Sequence, residues 1–141
     1  MTPALRNLRD QVDAWLERLE LDSEPTAEGI HVLRCGSSML FLSCFEHEGR
    51  PYVRIVAMLL MGFRPKMELF GRLLRLNSRV LFGSFQLFDD ETVCFTHTLA
   101  HSSLDFETFS HALRYVGQVA DDHDEPLQAV AGGERGEELL E

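Results

Sequence analysis

Histidine, cysteine and acidic side chains build most catalytic and metal centres, and in this chain they are scattered. The nearest approach to a metal-ligand spacing is His97-x-x-x-His101, followed by His47 between Glu46 and Glu48. Two histidines at i, i+4 share a metal only on a helix, whereas His97 falls in a predicted strand and His101 in the loop after it. Cys35 and Cys44 lie nine residues apart, without the tight Cys-x-x-Cys pair of a zinc knuckle. Cys35, Cys44 and Cys94 are odd in number and unevenly spaced, so no disulfide framework is predicted. Cys44 and Cys94 read as small apolar fillers, and His97 as a core or lining histidine with a hydrogen-bond partner. His123, among Asp121, Asp122 and Asp124, reads as part of a solvated helix end.

Nucleophile and phosphate motifs are missing as well. Gly36-Ser37-Ser38 and Gly83-Ser84-Phe85 both lack the second glycine of a Gly-x-Ser-x-Gly elbow. Neither Gly-x-x-x-x-Gly-Lys-Ser/Thr nor Gly-x-Gly-x-x-Gly occurs. Gly132-Gly133-Glu134-Arg135-Gly136 follows no strand and sits in an acidic stretch, so it reads as a linker. No catalytic residue, metal site or cofactor site is predicted, and the chain is expected not to be an enzyme. A catalytic reading would need titratable groups clustered in a cleft.

Charge narrows the partners. Twenty-three acidic residues against 13 basic ones give a formal charge of -10, and a field of that sign repels nucleic acid and anionic membrane surfaces. One stretch runs the other way: Arg64, Lys66, Arg72, Arg75 and Arg79 surround a single acid, Glu68. It lacks interleaved exposed aromatics and any nucleic-acid motif, so these arginines are expected to pair with acids of the same subunit or a mate, or to guide an acidic client. The longest apolar run, 55–61, is far shorter than the ~20 residues that span a bilayer, and the N-terminus lacks a signal-peptide core. A cytoplasmic protein is expected.

The elements that must position these residues follow from periodicity. In 141 residues a single domain is expected, 1–125, with an acidic Gly/Glu-rich tail, 126–141, read as flexible. Thr2-Pro3 opens a helix whose stripe is Leu5, Leu8, Val12, Trp15, Leu16 and Leu19, and 21–29 is a polar loop. Strands are predicted at 30–34, at 39–45 with apolar residues on both faces, and at 52–61. A second helix begins near Pro65, with apolar residues on more than one face. Strands at 80–88 and 92–99 flank a turn at Asp89-Asp90-Glu91, and the last helix runs from an Asp105 N-cap to about Asp122. The order predicts a two-layer α+β domain: α-β-β-β-α-β-β-α, a mostly antiparallel five-stranded sheet, helices on one face.

The stretch Leu73-Leu74-Arg75-Leu76-Asn77-Ser78-Arg79-Val80-Leu81-Phe82-Gly83-Ser84-Phe85, followed by Thr96-His97-Thr98-Leu99, resembles the middle of the YbjN-like family, which belongs with the type III secretion chaperones in one superfamily of small peptide-binding proteins. The resemblance spans roughly residues 2–122. It implies a homodimeric, non-enzymatic fold that holds an extended client segment against apolar patches and sheet edges.

The residues make such a role physically reasonable, because the chain has more apolar surface than a lone small domain hides. Leu69, Phe70, Leu73 and Leu74 are candidates for a dimer contact or for the intramolecular core. Val56, Met58, Phe82 and Phe88, with Arg54 and Gln86 as polar anchors, are candidate peptide seats on the sheet face away from the helices, unless a mate or the tail covers them. The competing reading is a regulatory or sensory module with an enclosed small-ligand pocket, formed for instance around Arg54 and His97.

Overall fold

The computed structural model describes residues 1–139 other than Asp22 and Asp90. Asp22 of the first loop, Asp90 of the Asp89-Asp90-Glu91 turn and the last two residues of the tail lie outside the described residues. The elements are α1 (Pro3–Arg18), β1 (Ile30–Cys35), β2 (Ser38–His47), β3 (Arg50–Met61), α2 (Met67–Asn77), β4 (Ser84–Phe88), β5 (Thr92–Ala100), a 3-10 turn at His101–Ser103, α3 (Phe106–Ala131) and α4 (Gly136–Leu139). The sheet order is β1-β2-β3-β5-β4, and every neighbouring pair is antiparallel.

Local chemistry sets the helix starts. The Thr2 side-chain oxygen accepts the Leu5 amide, with Pro3 pre-set in the first turn of α1. The Asp105 carboxylate accepts the Thr108 amide at 2.7 Å at the start of α3. Both helices lay apolar stripes on one face of the sheet. Leu8, Val12 and Leu16 of α1 and Phe109, Leu113 and Val116 of α3 meet Leu40, Leu42, Val53, Ile55, Ala57 and Phe95 in one core. Each fully buried side chain of this size contributes about 1.5–3 kcal/mol. A bulge between Met58 and Leu60 shifts the β3–β5 register, which is why Leu59 and Leu60 are both fully buried.

Two elements differ from the periodicity. The strand predicted from residue 80 begins only at Ser84, because 80–83 leaves the sheet plane toward α3. There the Leu81 amide donates to the Tyr115 hydroxyl at 2.7 Å, and Leu81 itself is 71% exposed. The last helix does not stop near Asp122. It continues through Pro126 to Ala131, although an interior proline removes a helical hydrogen bond at a cost of about 3 kcal/mol. Asp124, Leu127 and Ala131 are buried on that extension, and this packing holds the helix where local propensity would end it.

Candidate functional site

With α1 and α3 on one side, the other face of the sheet carries buried Met39, Cys94 and Thr96, half-buried Phe41, Val56 and Met58, and exposed Val32, Arg54 and Phe88. The register builds it in rows. Val32, Phe41, Val56, Thr96 and Ser84 lie abreast across all five strands. Beside that row run Ser43, Arg54 and Thr98, and on the other side Met58, Cys94 and Gln86. Phe45 stacks on Tyr52 with centroids 5.6 Å apart, and the Arg54 guanidinium lies 4.5 Å over the Phe45 ring while donating to the Thr98 hydroxyl at 3.2 Å. Val32 and Phe88 are 42% and 41% exposed at the two ends, so exposed apolar side chains flank a face that also carries Ser43, Arg54, Thr98 and Gln86.

Five of the six predicted seats, Arg54, Val56, Met58, Gln86 and Phe88, therefore share this face. Phe82 does not. It packs on the helix side, 4.3 Å from the His97 ring and 4.4 Å from the Tyr115 ring, because the break at 80–83 reverses the side that strand counting assigns. Phe41, Phe45 and Tyr52 also belong to the face; the apolar pattern on both sides of β2 is the sequence signal for the two phenylalanines, and pairing with Phe45 places Tyr52 beside them. Arg54 and His97 sit at adjacent registers of paired strands and so on opposite faces, and they form no common pocket.

Thr96, at the centre, is 6% exposed and its hydroxyl has no hydrogen-bond partner among the described residues. An unsatisfied buried hydroxyl costs roughly 1–3 kcal/mol. Thr96→Val keeps the volume and removes that penalty. It should raise stability by about 1 kcal/mol in urea unfolding, and an unchanged or lowered midpoint would show that the hydroxyl is satisfied in solution.

Both sheet edges are blunted. On β4, the Asn77 side chain mimics a neighbouring strand: its amide donates to the Phe85 carbonyl at 3.2 Å and its oxygen accepts the Phe85 amide at 2.7 Å. On β1, Thr26 exchanges hydrogen bonds with the backbone of Ile30, and the Ser23 hydroxyl donates to the Val32 carbonyl. Such clips suppress edge-to-edge pairing, which leaves the face rather than the edges free to receive a chain.

The four predicted dimer residues divide. Leu69 is fully buried and Leu73 is 6% exposed, so both belong to the core of their own subunit. The correction follows from helix geometry: residues 69, 73 and 76 form one stripe, against β4 and α3, while 67, 70 and 74 form the next. Leu74 and Met67 face outward, 73% and 83% exposed, while Phe70 of the same stripe is half-buried against the core. Phe70, Leu73, Leu74, Phe85 and Leu87 line a shallow crevice of about 280 Å³ between α2 and β4.

The glycine-rich segment read as a linker packs back onto the sheet. Glu134 and Met61 exchange two backbone hydrogen bonds of 2.8 Å. A Cβ on Gly133 would fall 2.6 Å from the Met61 carbonyl oxygen, and one on Gly136 2.7 Å from that of Met58, so only glycine permits the approach. Beyond it, α4 lies against β2 and β3 at Met39 and Met58, covering one corner of the open face. The Arg135 guanidinium latches this strap to α3, 3.0 Å from Glu125, 3.9 Å from Asp124 and 3.4 Å from Glu138.

The side chains with chemical potential are quiet. Burial pushes the Cys44 thiol up to about 11 and the Cys94 thiol up to about 12, and burial with the nearby Asp121 charge raises Cys35, so none is a ready thiolate. Burial lowers the His97 pKa, favouring its neutral form, and His101 bonds to Gln11 at 3.1 Å. Among the described residues no group of three or more histidine, cysteine or acidic side chains is placed to hold a metal ion, and no helix is long and apolar enough to cross a membrane.

Fold and face together define a small α+β domain with one side covered by α1 and α3 and a second side of mixed apolar and polar residues that α4 meets at one corner. The chain belongs to the T3SS (YopN, CesT) and YbjN peptide-binding chaperone 1 family, which matches residues 6–139. No curated protein sequence matches it. Among solved structures it is similar to YbjN from E. coli, with a TM-score of 0.66 and 15% identity over 87% of this chain and 93% of that one. It is also similar to the Yersinia pestis type III secretion chaperone SycH, solved in complex with a stable fragment of YscM2, with a TM-score of 0.60 and 12% identity over 81% of this chain and 97% of that one. At these identities the likeness to the two structures is one of fold.

Proposed function

We propose that the chain is a non-enzymatic, chaperone-like protein of the cytoplasm that works as a homodimer and holds an extended segment of a client protein on the open sheet face. The observation that carries this reading is the apolar run Val32–Phe41–Val56, with Phe45, Tyr52 and Phe88 on the same face, opposite the face that α1 and α3 cover. An extended segment laid there seats alternate side chains between the rows, with Arg54, Thr98 and Gln86 as hydrogen-bonding groups. The blunted edges favour face binding over strand addition. The second apolar surface, Met67, Phe70, Leu74 and Leu87, lies on a different side of the molecule and suits the mate. Family membership supports a peptide as the ligand.

The test uses a permanently unfolded probe, reduced carboxymethylated α-lactalbumin, and fluorescence anisotropy. Wild type should bind it, and Val32→Asp/Phe88→Asp, both exposed positions, should weaken binding at least about tenfold with an unchanged circular dichroism spectrum. Absence of binding by wild type, or equal affinity for the double variant, overturns the reading.

A further inference from the structure

Charge is distributed oddly at the junction of α2 and α3. Arg72 and Arg75 of α2, and Arg79 just beyond its end, stand at i, i+3 and i+7 and so project to one side. With Leu76 they line a crevice of about 320 Å³ whose opposite wall is His123, Pro126 and Leu127 of α3. Arg72 is half-buried there, and the His123 ring is held edge-on against Phe85 with centroids 5.6 Å apart.

The chain has 23 acidic residues, yet none of these three arginines makes an ion pair among the described residues. Of the expected roles, pairing within the subunit is absent for Arg72, Arg75 and Arg79 among the described residues. The carboxylates nearest in sequence to His123 are engaged elsewhere: Asp124 and Glu125 on Arg135, Asp122 on Gln118, Asp121 on Ser37 and Ser38. Three guanidinium groups around one crevice, with no ion pair among the described residues, repel one another, and an anion placed between them relieves that repulsion. Guanidinium forks match phosphate oxygens in bidentate geometry.

We infer that this crevice is a binding site for a compact phosphate-bearing small molecule. Size and field set the class. The volume lies at the low end of small-molecule sites, and Leu76 and Pro126 offer apolar surface beside the cations. A long polyanion would meet the surrounding field of a chain with net charge -10, whereas a compact anion meets only the local arginines. This stripe of α2 is distinct from the Phe70–Leu74 surface, so the site is compatible with a dimer formed there.

Isothermal titration at constant ionic strength tests this with pyrophosphate, ribose 5-phosphate and a single-stranded 20-mer DNA as probes. Pyrophosphate or ribose 5-phosphate should bind one per chain, and Arg72→Gln/Arg79→Gln should weaken that binding at least about tenfold. Arg6→Gln/Arg50→Gln, at exposed positions elsewhere, should leave it unchanged. A thermal melt checks folding of each variant, and Arg79→Gln alone, at an exposed position, replaces the double variant if that one does not fold. Binding of neither small probe, equal binding by the Arg72/Arg79 variant, or preference for the DNA overturns the inference.

Discussion

Replacing Gly83 by alanine is expected to cost about 3–5 kcal/mol, a large part of the total stability of a domain this size. Gly83 has φ +79°, a conformation that disfavours any side chain, and the space around it is filled. A Cβ there would lie 2.8 Å from Cζ of Phe95 and 2.9 Å from the Thr96 carbonyl oxygen. Neither neighbour can withdraw. Phe95 is fully buried in the core, and Thr96 is paired with both Val56 and Ser84, so its carbonyl moves only if β5 moves. Gly49→Ala is the control, since Gly49 has φ +76° with nothing within 4 Å of its would-be Cβ. It should lose about 1 kcal/mol from backbone strain alone. Urea midpoints of the two variants separate the terms, and equal losses would mean that the packing around Gly83 yields.

The same glycine shows how far the sequence could be read. The Asn- and Gly-containing stretch from Leu73 to Phe85 carries the family resemblance, and its reason is geometric: Asn77 clips the Phe85 peptide and Gly83 lets the chain pass Phe95. Both are tertiary contacts, invisible to periodicity. A strand at 80–88 is four residues too long because the apolar pattern continues by coincidence into 80–83, a segment that has left the sheet. That break put Phe82 on the wrong side. The element order and the core stripes of α1 and β3 were legible because they rest on burial repeated over many residues. The end of α3 was not, because Pro126 and the aspartates argue locally against a helix that Leu127 and Ala131 hold by packing. The arginines of α2 were conspicuous by composition, but that Arg72 and Arg75 make no ion pair among the described residues is a property of the fold.

Two substitutions five residues apart on α2 should have opposite consequences. Leu69 is fully buried, and Leu69→Asp places a carboxylate in the core with no cation to meet it, at a cost of about 4 kcal/mol or more. The expected result is an unfolded or aggregated chain. Leu74 is 73% exposed, and Leu74→Asp should leave the stability of the subunit within about 0.5 kcal/mol. If the Met67–Phe70–Leu74 strip receives a second copy, an aspartate at its centre puts two unpaired charges into an apolar contact, because a twofold interface presents each change twice. Light scattering should then report twice the 16.1 kDa chain mass for wild type and a single chain mass for Leu74→Asp, with matching circular dichroism spectra. A wild-type monomer at micromolar concentration refutes the dimer. A Leu74→Asp protein that stays dimeric moves the interface off α2. Leu69→Asp alone would decide neither, since loss of the fold removes any interface with it.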